Sequence, residues 1–141
     1  MKRHLTRTLA ALFGLLSFSA ASAAQELLIK SGDKIAFMGD SITQAGNGRH
    51  GYITFVMDAL KKEGLEVTHI PAGKSGNRSP DMLARLDDAV IGKDPDWMLL
   101  SCGVNDVWHF TLKLGNRTFE GVPIEDYRKN IREIVGKAEA A

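Results

Sequence analysis

The chain has 141 residues, 44% hydrophobic and 25% charged, with a formal net charge of +1. That is about one domain with the make-up of an ordinary globular protein, which excludes disordered and collagen-like classes. The near-neutral balance gives no electrostatic case for a nucleic-acid or anionic-lipid partner.

The first residues read as a leader rather than as part of a fold. Lys2, Arg3 and Arg7 form a basic start, Leu9 to Phe18 is a short apolar run, and Ala21-Ser22-Ala23 is a small-residue cleavage site. Residues 1–23 are therefore expected to be a cleavable secretory signal peptide, with the mature domain at 24–141. About ten apolar residues at ~1.5 Å each fall short of a hydrocarbon core about 30 Å thick, so no stable membrane anchor is expected. Losing those three cations takes the formal charge from +1 to −2. Cys102 is the only cysteine, so an exported chain of this kind has no internal disulfide and relies on its core. Its apolar surroundings suggest a structural thiol, and no cofactor or metal site is indicated.

Beyond Gln25, short apolar runs alternate with helical periodicity. A first strand is expected at Ile35–Gly39. A helix follows from Tyr52 to Glu63, with Ile53, Val56, Met57 and Leu60 on one face, and Gly64 ends it. Glu66–Ile70 reads as a second strand terminated by Pro71. Ser79 as N-cap, Pro80 at the first helical position and Asp81 in the first turn open a helix with Met82, Leu83, Leu86 and Val90 as its buried stripe. A turn at Gly92–Asp96 leads to a third strand, Trp97–Cys102. A loop of about twenty residues then carries Gly115, Asn116 and Gly121, and a last helix places Ile124, Tyr127, Ile131, Ile134 and Val135 at helical spacing. The β-α-β-α-β-α order implies right-handed crossovers and a parallel sheet with helices on both faces.

Three polar, glycine-bearing segments follow the three strands: Gly39-Asp40-Ser41-Ile42-Thr43, Gly73-Lys74-Ser75-Gly76-Asn77 and Gly103-Val104-Asn105-Asp106. In a parallel sheet they converge on the carboxyl edge, where such folds bind ligands. Each suits acyl transfer. Ser41 could present its hydroxyl to a base. The Gly76 N–H, unobstructed by a side chain, and the Asn105 amide could both donate to a developing oxyanion.

These three segments resemble the conserved blocks of the SGNH hydrolases, also called GDSL-like lipases and esterases. Phe37 to Thr43 is similar to the first block. Ser75-Gly76-Asn77 with Leu83-Ala84-Arg85-Leu86 is similar to the second, and Gly103 to Asp106 to the third. The resemblance implies a flavodoxin-like three-layer α/β/α sandwich with a parallel sheet of about five strands. It implies Ser41 as nucleophile and first oxyanion donor, Gly76 as second and Asn105 as third. Small-molecule or polysaccharide esters are the implied substrates. The second block has Pro71-Ala72 where the family usually has an asparagine.

The family takes its general base and orienting acid from an Asp-x-x-His block near the C-terminus, and residues 24–141 stop before such a block. The domain is therefore expected to be incomplete after the third strand and its helix, with weak or no esterase activity. Asp106-Val107-Trp108-His109 has the same spacing, but Asp106 directly follows Asn105 on the third loop. His109 is expected to line the substrate pocket rather than to act as base, and His50 and His69 are weaker candidates still. The competing reading is a non-catalytic small-ligand-binding module, for a phosphate or a flavin, using the same loop amides.

Overall fold

The structure, a computed structural model, describes residues 27–141, so the leader expected at 1–23 lies outside the described residues. Its centre is β1 (Lys34–Gly39), flanked by β2 (Thr68–Gly73) and β3 (Trp97–Leu100). The order is β2-β1-β3 with both pairings parallel. A strand paired on both sides and covered on both faces must be apolar throughout. Ile35, Ala36, Phe37 and Met38 are accordingly all buried.

Alternation along β1 sorts the core into two halves. Ile35 and Phe37 face Ile53 and Leu60 of α2 (Tyr52–Lys62). Ala36 and Met38 face Met82, Leu86, Val90 and Ile134 on the other side. Those come from α3 (Ser79–Ala84), α4 (Leu86–Ala89) with the residue after it, and the 16-residue α6 (Ile124–Glu139). The result is the expected three-layer α/β/α arrangement. Each fully buried Leu, Ile or Met contributes about 1.5–3 kcal/mol, so the Met82, Leu86 and Ile134 side forms the heavier half.

The second strand lies two to three residues later than expected, and Pro71 sits inside it, opposite Phe37. A proline cannot donate to a ladder, but β2 lies at an edge of this sheet, where one side makes no ladder. The third strand ends at Leu100 rather than Cys102, although Ser101 N–H still donates to Met38 O at 2.9 Å. β3 forms the other edge of the described sheet, and Trp97 and Leu99 are 38% and 43% exposed there.

Two helical expectations are corrected. Ser79 is the first helical residue and Arg78 the N-cap. The helix that was to run on through Val90 is split at Arg85, whose φ of −111° and ψ of 6° separate α3 from α4. The long third loop also has structure: α5 (Val104–Trp108) and a small antiparallel hairpin of β4 (Lys113–Leu114) and β5 (Arg117–Thr118). Among the described residues no helix is long and apolar enough to cross a membrane.

Candidate active site

The turn after β1 is a helix start. Asp40 is the N-cap of α1 (Ser41–Gly46), and its Oδ1 accepts the Ile42 N–H at 2.8 Å. Gln44 N–H donates to Asp40 O at 2.9 Å. The cap leaves the Ser41 amide, one of the orphan donors of any helix start, without a partner among the described residues. Ser41 itself is exposed, while Asp40 beneath it is buried. A buried carboxylate thus fixes the turn that lifts the hydroxyl to the edge of the sheet.

The second segment is tied to this turn. Lys74 N–H donates to Gly39 O at 2.9 Å, and Ser75 N–H to Gln44 Oε1 at 2.7 Å. Gly73 allows the approach: a Cβ there would lie 2.2 Å from the Gln44 nitrogen. Gly76 follows with φ +77°, a left-handed conformation that costs little only for glycine, and a Cβ there would meet nothing within 4 Å. Its backbone is therefore open to a ligand.

The third segment completes the group. Asn105 is buried on α5 and its Nδ2 donates to Asn77 O at 2.9 Å. An amide nitrogen carries two N–H groups, so one remains for a ligand. Ser41, Gly76 and Asn105 thus stand on three segments bonded to one another at the carboxyl edge. A second hub was not read from the sequence: Arg85. Its Nε donates to Asn77 Oδ1 at 2.6 Å, and its Nη2 to Ala72 O at 2.8 Å and Gly39 O at 3.0 Å. Burial lowers its pKa from the ordinary value and Asp81 opposes that shift.

Asp106 has a different partner from the one its spacing suggests. Both carboxylate oxygens accept the Ser79 N–H, at 2.9 and 3.1 Å, and Oδ1 accepts the Ser79 hydroxyl at 2.5 Å. Asn130 Nδ2 donates to the same hydroxyl at 3.1 Å. Asp106 is a helix cap for α3, supplied from 27 residues downstream. His109 packs against Phe119, with ring centroids 5.3 Å apart. His69 lies in β2 against Asn47 Oδ1, at 2.8 Å, and His50 is exposed on the loop before α2. None of the three is hydrogen-bonded to Ser41, which has no base among the described residues.

Cys102 is half-buried and donates weakly to Asp106 Oδ2 at 3.8 Å. Burial, then the Asp106 charge, pushes its thiol up to about 12, so it stays protonated and unreactive at neutral pH. Among the described residues no group of three or more His, Cys, Asp or Glu could hold a metal ion. A 420 Å³ cavity walled by Val107, Phe110, Val122, Ile124 and Tyr127 opens beside Gly103. A larger one, 560 Å³, lies around Val90, Trp97 and Val135 at the start of β3, the opposite end from Ser41.

A parallel sheet between two helical layers, with a serine on the helix start after its first strand and two further polar segments at the same strand ends, defines the SGNH-type α/β fold. The chain belongs to the GDSL-like lipase/acylhydrolase family, which matches residues 37–141. It is 32% identical over 120 residues to an acetylxylan esterase of Geobacillus stearothermophilus, covering 76% of this chain and 54% of that one. Among solved structures it is similar to the acetyl xylan esterase AlAXEase, with 37% identity and a TM-score of 0.64 over 76% of this chain and 52% of that one. It is also similar to Axe2, the acetylxylan esterase of Geobacillus stearothermophilus, with 31% identity and a TM-score of 0.71 over 81% and 57%. The chain spans about half the length of these relatives.

Proposed function

We propose that the chain carries the nucleophile and oxyanion hole of an exported serine ester hydrolase that removes acetyl groups from a polysaccharide. The observation that carries this reading is the bond from Asn105 Nδ2 to Asn77 O, which sets the third loop's amide beside Gly76, itself joined to the Ser41 turn through Lys74 and Ser75. The similarity to acetylxylan esterases supports the substrate class, and the leader pattern at 1–23 supports export.

In this reading the Ser41 hydroxyl attacks the ester carbonyl carbon and gives its proton to a base. The carbonyl oxygen becomes an oxyanion held by the N–H groups of Ser41 and Gly76 and by Asn105 Nδ2. Collapse breaks the bond to the sugar oxygen, which leaves with that proton, and water then hydrolyses acetyl-Ser41 to acetate. Each preorganised donor is worth about 10²- to 10³-fold in rate. A serine without a base is a poor nucleophile, so the described residues alone support only residual turnover, about 10³- to 10⁴-fold over water.

Imidazole in solution can supply that base. Purified 141-residue chain is incubated with acetylated xylo-oligosaccharides over an imidazole series, and acetate is measured. Acetate release should rise with imidazole and vanish in Ser41→Ala. Release that persists in that variant, or no release at any imidazole concentration, refutes the reading.

A further inference from the structure

We propose that Arg85 is a positioning residue that holds the Gly76 loop against the Ser41 turn, using Asn77 as its handle; this rests on the esterase reading above. The Gly76 loop needs such a device. A Cβ at Gly76 would meet nothing within 4 Å, so at the residue that matters the loop is not seated by side-chain packing, and hydrogen bonds must fix it.

One guanidinium supplies them. Gly39 O, which accepts Arg85 Nη2 at 3.0 Å, belongs to the last residue of β1, two before Ser41. Ala72 O, at 2.8 Å, lies near the end of β2. Asn77 Oδ1, at 2.6 Å from Arg85 Nε, belongs to the residue after Gly76. Asn77 is also the residue whose carbonyl accepts Asn105 Nδ2. Arg85 therefore touches two of the three site segments directly and reaches the third through Asn77.

The residue type fits the task. Arginine offers five donors in a planar fork, whereas lysine is a single point charge on a flexible stem. Arg85 forms no ion pair among the described residues, so its charge goes into hydrogen bonds to neutral oxygens, which an ionised donor makes about twice as strong. The backbone cooperates: the helix breaks at Arg85 itself, between α3 and α4.

The test compares wild type, Arg85→Ala and Arg85→Lys in the 141-residue chain by two readouts. The first is amide hydrogen exchange at Lys74, Ser75 and Asn77, whose N–H groups are bonded in the wild type, with Phe37 in the core as internal reference. Both variants should exchange at least about tenfold faster at the three loop amides while Phe37 is unchanged, because the loop opens locally. The second is imidazole-assisted acetate release. A mis-set oxyanion donor should lower turnover about 10²-fold with KM nearly unchanged. Millimolar guanidinium should restore Arg85→Ala but not Ser41→Ala.

Loop exchange equal to wild type in both variants overturns the proposal, as does acceleration that includes Phe37 equally, which marks Arg85 as an ordinary stabilising residue. Should Arg85→Ala fail to fold, Arg85→Lys decides by the same criteria. If wild type releases no Ser41-dependent acetate, the esterase reading falls while the exchange pattern still decides whether Arg85 sets the loop.

Discussion

The segments that follow β1 and β3 each carry a glycine and a buried aspartate close to the strand end, yet the two carboxylates act over different distances. Asp40 caps the helix it starts, bonding Ile42 two residues on. Asp106 stands inside α5 but caps α3, bonding Ser79 27 residues back. The first arrangement can form as soon as its own turn does. The second exists only when α5 and α3 have come together, and Asn130 of α6 joins the same serine. A Ser41 turn built locally is thus backed by an Asn105 segment anchored through tertiary structure.

That contrast can be broken by mutation. Asp106→Ala leaves the buried Ser79 N–H and hydroxyl without their acceptor and should cost about 2–4 kcal/mol in urea unfolding. Asp40→Ala removes a local cap and should cost only about 1 kcal/mol. Equal losses would mean that Asp106 is no more than another cap.

The smallest effect is expected in alkali, again only on the third loop. Cys102 is pushed up from 9.0 to about 12, first by burial and then by the Asp106 charge. Tyr127, which donates to Cys102 O at 3.2 Å, is raised by burial and by the same neighbours. The folded state favours the protonated thiol, so its contribution is complete below pH 9 and is lost as pH rises from 9 towards 12. Unfolding midpoints should therefore fall across that window in wild type and fall less in Cys102→Ala. A midpoint independent of pH in that range contradicts this.

What could be read from the sequence follows the same division between local and distant causes. β1 and α2 were legible because continuous burial and a helical stripe leave local patterns at Ile35 to Met38 and at Ile53 and Leu60. Ser41, Gly76 and Asn105 could be grouped because a parallel sheet brings its strand ends together. Pro71 misplaced the second strand because edge position is a property of the sheet, not of the residue. Ser79 looked like its own cap because Asp106 is remote. The β4-β5 hairpin had its Gly115-Asn116 turn in view, with φ +59° at Gly115, but two-residue strands are too short to show alternation. Arg85 sat in plain sight between two helical turns, and nothing in a linear pattern says that its side chain turns back to two strand ends.

The most direct measurement of whether Ser41 is the reactive centre is covalent trapping. The purified chain is treated with a p-nitrophenyl phosphonate ester in the presence of imidazole, then weighed intact and peptide-mapped. One phosphonyl group on Ser41, absent from Ser41→Ala, is the expected result. No adduct on Ser41, or unchanged labelling of Ser41→Ala, would contradict it.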